Sequence, residues 1–301
     1  MLRAAFAVVL AAVAAGQSPS APSPSPTAAE LKQKLERQLE DLAAHVDGVV
    51  GYSLVDLESG ERISHLGNAV FPTASSIKIA IVYELVKQVD EGRVRLDEAI
   101  TLDRSKAVGG SGVLFELGTP TLSLGDYATR MVVLSDNTAT NVVIDRLGLE
   151  RVAARMQSLG LKDTKLRRRM MDVAAARRGD ENVSTPDELV NLLQIVNRGE
   201  GLTPGGRDAA LALLKKSKTS RLRRGLPPGV DAADKPGELE GVRVDAGIVF
   251  AKNRPYAISV MTTFLRSETD GEAAIERMSR TAYEYFARLG AGGALGRQLG
   301  R

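Results

Sequence analysis

The sequence predicts a mixed fold of the α/β (α+β) class, in which one antiparallel sheet is flanked by N- and C-terminal helices and an all-helical lobe is inserted between its strands. Three observations carry that prediction. Strand-like runs lie near the start of the chain, at Gly48 to Leu57 and Glu61 to Leu66. Two more lie near its end, at Gly241 to Ala251 and Tyr256 to Phe264. Between them, from Ser75 to about Gly160, the pattern is mostly helical and punctuated by glycine. Strands at both ends with helices between them imply one sheet built from both halves of the chain.

In chain order, Met1-Leu2-Arg3 is followed by an apolar run from Ala4 to Ala15, which reads as a signal peptide over residues 1–16. The run is too short to cross a bilayer comfortably, so a secreted or periplasmic protein with no stable membrane span after cleavage is expected. Residues 17–27 alternate proline with small polar residues and read as a disordered linker. Residues 28–290 form the expected domain, with an α/β lobe of about 28–66 and 210–290 and a helical lobe of about 67–209. Within it, Leu31, Leu35, Leu39, Leu42 and Val46 recur every three or four positions, predicting an amphipathic helix over Ala28 to Val46. Glu58-Ser59-Gly60 joins the first two strands as a hairpin turn, and Lys252 to Pro255 joins the last two. A helix from Gly271 to Leu289 closes the domain, and residues 291–301 form a glycine-rich tail expected to fray.

Composition excludes several chemistries. The 301 residues include no cysteine, so there is no disulfide, thiolate nucleophile or Cys-ligated metal. His45 and His65 are the only imidazoles, too few for a two-histidine helical metal motif. A Ser-His-Asp triad would have to use one of them, and no G-x-S-x-G elbow accompanies either. Forty basic against 37 acidic residues give a net charge of +3, too small to argue for nucleic acid. The basic stretches Lys165 to Arg178 and Lys215 to Arg224 read as solvated faces, with contact to anionic cell-wall polymer or acidic lipid as the alternative. No cofactor and no metal are expected, and the expected partner is a small molecule bound by a monomer in the cleft between the lobes.

Three short motifs could carry chemistry. In Ser75-Ser76-Ile77-Lys78 a serine and a lysine share one face at a helix start, where the amine can reach the hydroxyl. Burial and neighbouring positive charge would make that lysine a base. Ser135-Asp136-Asn137 precedes a helix over Asn137 to Leu147 and by itself reads as a cap. Lys235-Pro236-Gly237 by itself reads as a turn leading into a strand. Order and spacing change the reading. Sixty residues separate Ser75 from Ser135, and 100 separate Ser135 from Lys235, matching the S-x-x-K, S-D-N, K-[TS]-G series of penicillin-recognising serine enzymes.

On these residues the chain resembles the class A β-lactamase family, whose β-lactamase/transpeptidase-like architecture agrees with the element order. Residues 71–102, with Phe71-Pro72 ahead of the serine and Asp90-Glu91-Gly92 after the helix, are similar to that family's nucleophile segment. Residues 111–148 resemble the segment carrying S-D-N, and Ser184-Thr185-Pro186 the close of its omega loop. The resemblance covers roughly residues 28–290. It implies that Ser75 attacks an amide carbonyl, Lys78 helps remove its proton, and Ser135 passes a proton to the leaving nitrogen. It further implies that Asn137 orients Lys78 and substrate, and that Lys235 attracts the substrate carboxylate. Gly237 completes the third motif, the backbone N–H groups of Ser75 and Glu238 form the oxyanion hole, and Arg243 is a second cation for the carboxylate.

Two departures stand out. The family's omega loop carries a deacylating glutamate and, four residues on, an asparagine; here Met170 and Ala174 align with them, and counting back from Pro186 gives Arg169. Asp172 is the nearest acid and a candidate assistant in deacylation. Pro236 also replaces a hydroxyl residue, and is tolerable only where its strand has no partner for the missing N–H. Three readings follow: a β-lactam-opening hydrolase with slow release of the acyl group, a D-Ala-D-Ala peptidase or other ester or amide hydrolase on the same scaffold, and a non-catalytic wall-binding sensor module.

Overall fold

The computed structural model of the chain describes residues 26–292 and 296–297. The leader, most of the Pro/Ser-rich spacer and most of the tail therefore lie outside the described residues. The elements run α1 (Pro26–Ala44), β1 (Val49–Asp56), β2 (Arg62–His65), β3 (Phe71–Pro72), α2 (Lys78–Asp90), β4 (Ala99–Thr101), β5 (Thr121–Ser123), α3 (Leu124–Val133) and α4 (Asn137–Leu147). There follow α5 (Leu149–Ser158), α6 (Val173–Arg177), β6 (Val183–Ser184), α7 (Pro186–Arg198), α8 (Pro204–Lys215), α9 (Arg221–Arg224), β7 (Ala232–Leu239), β8 (Val242–Val249), β9 (Tyr256–Thr263) and α10 (Glu268–Ala291).

The main sheet has the order β2-β1-β9-β8-β7, antiparallel throughout, so the first and last strands of the chain pair directly, with Tyr52 opposite Val260. Side chains alternate across it. On β9, Tyr256, Ile258 and Val260 point to one face, where they pack with Leu35 and Leu39 of α1 and Met278 and Phe286 of α10. Ala257 and Met261 point to the other face and join the larger core with α2 and α7. Helix α2 is apolar around most of its circumference and is buried from Lys78 to Val86, as an all-round hydrophobic helix must be. Its buried Glu84 is matched by Arg155 at 2.8 Å and by the Gln88 amide at 2.8 Å.

Three details differ from the sequence expectation. Helix α1 begins at Pro26, inside the stretch expected to be linker, because proline is well suited to a first helical turn. Lys235-Pro236-Gly237 is the middle of β7, not a turn. The run Ala232 to Gly237 has little strand propensity of its own, and pairing with β8 overrides that weakness. Finally, the small ladder of β3 with β6, Phe71 opposite Ser184, ties the chain just ahead of Ser75 to the close of the loop around Met170, a contact no local pattern announces.

Candidate active site

Ser75 lies in a single 3₁₀ turn, Ala74–Ile77, that leads directly into α2. The turn is fixed from outside. The Thr73 N–H and hydroxyl both donate to the Asn182 carbonyl, at 2.9 and 3.0 Å, and the Thr73 carbonyl accepts the Ser76 hydroxyl at 2.7 Å. Ala74 takes a left-handed φ of 47°, unusual for a residue with a Cβ and a local strain held by these bonds. Ser75 is half-buried and lines a cleft of about 260 Å³ together with Ser111, Leu134, Ser135, Lys235, Gly237 and Glu238.

Ser135 sits between α3 and α4, also with a left-handed φ, 51°. The next residue, Asp136, explains why this turn holds. It is fully buried; one oxygen caps α4 through the Ala139 N–H at 2.8 Å, and the other accepts the N–H groups of Val113 and Leu114 at 2.7 and 2.9 Å. Gly112 is required beside it, because a Cβ there would fall 2.2 Å from the Asp136 carboxyl. So anchored, the Ser135 hydroxyl accepts from two buried amines, Lys78 Nζ at 3.0 Å and Lys235 Nζ at 3.2 Å. Its own proton is thereby left to be donated into the cleft. Lys78 also donates to the Ser135 carbonyl at 2.8 Å and lies 3.5 Å from Asn137 Oδ1, while the Asn137 amide is anchored to the Gly109 carbonyl at 3.0 Å.

Burial, reinforced by the charge of Lys235, holds the Lys78 amine well below the ordinary lysine range, with Asp136 opposing. Burial likewise brings Lys235 down to about 7, against the opposing charge of Asp234. Burial thus shifts Lys78 towards the free base form that can accept a proton. Lys78 does not hydrogen-bond Ser75 here; among the described residues its partners are Ser135 and Asn137.

The third motif works through the backbone. β7 is the edge strand, and Pro236 and Glu238 stand opposite Asp245 and Arg243 of β8. The Arg243 N–H donates to the Thr262 hydroxyl of β9 at 3.0 Å, and that hydroxyl donates back to the Arg243 carbonyl at 2.9 Å, so the Arg243 backbone faces β9. By the alternation of an antiparallel ladder, the backbone groups of Pro236 and Glu238 point off the sheet edge. Proline therefore removes no ladder bond, and the Glu238 N–H is left free on the side of the nucleophile turn. Gly237 presses against that turn: a Cβ would lie 2.8 Å from Ser75 N and from the Thr73 carbonyl oxygen.

Two expectations are corrected. Arg243 does not line the cleft; strand alternation puts its side chain on the opposite face of the sheet, where α10 supplies Glu268 and, at 3.0 Å, Glu272. Asp172 lies outside the Ser75 cleft. Its carboxylate caps α6 through the Ala175 N–H at 2.9 Å, and it borders a separate depression with Asn141, Met170 and Met171. Met170, aligned with the missing glutamate, is buried, its N–H and carbonyl clamped by the Asn141 amide at 2.8 and 3.1 Å. Ala174 is an exposed residue of α6. Among the described residues, Glu238 is the only acid lining the cleft. The sequence reading missed Arg221, which lines it from α9 and belongs to the basic stretch read as a solvated face.

A half-buried serine, two buried lysines and a second serine between them, set where a helical lobe meets an antiparallel sheet, define a serine hydrolase. The profile described as "Beta-lactamase enzyme family" matches residues 34–286. The chain is 29% identical over 256 residues to an imipenem-hydrolyzing β-lactamase of Enterobacter cloacae, covering 82% of this chain and 88% of that protein. Among solved structures it superposes on PBP-A with a TM-score of 0.78 and 31% identity, covering 84% and 96% of the two chains. A reconstructed ancestral class A β-lactamase gives a TM-score of 0.78 and 28% identity, covering 84% of this chain and all of that one, at 100%. The chain belongs to the β-lactamase enzyme family, class A, and is a serine hydrolase acting on β-lactams.

Proposed function

We propose that the protein opens β-lactam rings through an acyl intermediate on Ser75 and releases the acyl group slowly, working outside the cytoplasm after loss of its leader. Lys78, whose charged form is disfavoured by burial, takes the Ser75 proton directly or through Ser135. The carbonyl oxygen, as it becomes an oxyanion, is met by the N–H groups of Ser75 and Glu238, preorganised by the close packing of Gly237. Ser135 gives its proton to the departing ring nitrogen and is resupplied from Lys78, while Lys235 draws in the substrate carboxylate. The observation that carries this reading is the Ser135 hydroxyl bridging two buried amines beside Ser75.

Slow release follows from the absence of a base for the hydrolytic water. Met170 carries no carboxylate, and Glu238 is bound to Arg221. Loss of a general base slows the step it serves by about 10²- to 10⁴-fold. The same observation favours a second reading, in which a peptidoglycan D-Ala-D-Ala peptide or another ester or amide is the natural substrate and β-lactams are long-lived inhibitors. The likeness to PBP-A, a mutant of which is described as an acyl-enzyme complex with penicillin G, supports the long-lived adduct in that reading. The two separate on turnover: product that keeps accumulating beyond one equivalent of penicillin supports the hydrolase, and a single equivalent consumed supports the second reading. Ser75→Ala is expected to give no covalent adduct in intact-mass measurement; labelling that survives it would remove Ser75 as the nucleophile.

A further inference from the structure

On the side of Ser75 away from the leaving group, one side chain separates two hollows. With the ring nitrogen directed to Ser135 and the carbonyl oxygen to the N–H groups of Ser75 and Glu238, the substituent on the acyl side of the attacked carbon is left to point toward Asn137, which lies 3.5 Å from Lys78. There Met171 reaches across from the loop that follows Met170. A Cβ at Gly110 would fall 2.9 Å from Met171 Sδ and 3.0 Å from Asn137 Nδ2, so the thioether, the Gly110 backbone and the Asn137 amide meet at one point. The backbone on either side of Met171 is fixed: Asn141 clamps Met170, and the Met171 carbonyl accepts the Val173 N–H at 2.9 Å. Only the side chain is left to move. Beyond it lies the separate depression, of about 330 Å³, with Val108 and Met170 among its apolar walls and Lys106, Asp145 and Arg169 also lining it. None of the residues lining the Ser75 cleft belongs to the 169–172 loop.

From this arrangement we propose that Met171 is a specificity-determining residue: its side chain is the partition between the cleft and the depression, and it favours acyl donors with a small acyl substituent, such as a bare amine, over donors carrying a bulky aryl group. The proposal rests on acylation of Ser75. A bulky substituent can be seated only by pushing the thioether off Gly110, and the favoured donor needs no contact with Met171 at all. Specificity of this kind is built from a clash with the disfavoured partner. Methionine is unbranched and flexible, so the partition yields at a cost rather than barring the way. One methylene too many or too few in an apolar pocket changes rates about 10- to 200-fold, and displacing a flexible side chain belongs at the lower end of that range.

The test compares the penicillin nucleus, whose acyl substituent is a bare amine, with a penicillin carrying a naphthyl side chain on the same ring system. Second-order acylation rates are read by intact mass on the whole chain, on Met171→Ala and on Met171→Leu. The ratio of the naphthyl rate to the bare-amine rate is expected to rise about tenfold in Met171→Ala, which joins the depression to the cleft, and to stay near its original value in Met171→Leu, which keeps the bulk. Met171 is 46% exposed, so both variants should fold, and a loss of folding would lower the two rates alike without raising their ratio. A ratio that stays level or falls in Met171→Ala, or that rises as much in Met171→Leu, overturns the proposal. Absence of any adduct with both probes would instead remove the acyl-serine reading on which the proposal stands.

Discussion

The Ser135 hydroxyl is held between Lys78 and Lys235 at 3.0 and 3.2 Å. Burial lowers both amines, and the charge of Lys235 further disfavours the charged form of Lys78. The pH consequence has a definite sign. Lys235, near 7, is charged below that pH and neutral above it, so its attraction for a substrate carboxylate is present in mild acid and lost as pH rises through about 7. The acylation rate with penicillin is therefore predicted to fall on the alkaline side of about pH 7, and Lys235→Arg, whose guanidinium stays charged, to flatten that limb. An alkaline limb that persists in Lys235→Arg would assign it to another group. At Met170 the expectation concerns the later step. Met170→Glu should shorten the adduct lifetime about 10²- to 10⁴-fold, at a cost in stability because the position is buried, and unchanged decay would show that this loop does not limit release.

At the scale of elements, β7 and the 3₁₀ turn of Ser75 form one mechanical unit because Gly237 has no Cβ to separate them. Gly237→Ala must displace backbone on one side or the other. The variant is predicted to keep its circular dichroism spectrum and lose about 10²-fold or more in acylation, because an oxyanion hole tolerates little misplacement. An undiminished rate would show that the Ser75 and Glu238 N–H groups are not the donors. β7 also marks where sequence reading stopped. β1, β8, β9 and α10 were legible within a few residues because apolar residues alternate along the strands and Ile275, Met278, Ala282 and Phe286 recur at helical spacing in α10. Ala232 to Gly237 has no such pattern, and only its partner β8 makes it a strand. The three motifs were legible from their order and spacing. Arg221 and Arg243 were not: which of them reaches the cleft depends on the sheet face and on the path of α9, both settled by tertiary contacts.

The whole molecule brings the two ends of its chain together in one sheet, with α1 and α10 layered on the face away from the cleft. Stability of that distant layer and integrity of the site are thus linked through β1, β9 and β8. Leu39, fully buried on the inner face of α1, is a direct probe: Leu39→Ala should cost about 2–5 kcal/mol in urea unfolding, and acylation should disappear in the same transition as the helical signal. Acylation that outlasts the loss of helix would mean that the lobes unfold separately. The large core around α2 gives the lysine pair its dry surroundings, so the chemistry of Lys78 is a property of the packed lobe rather than of the S-x-x-K motif alone. The most direct measurement is a time course of intact mass after mixing the protein with a penicillin and then removing the excess. A single adduct on Ser75 is predicted, forming much faster than it decays; no adduct at any time, or one seated on a residue other than Ser75, would contradict the account.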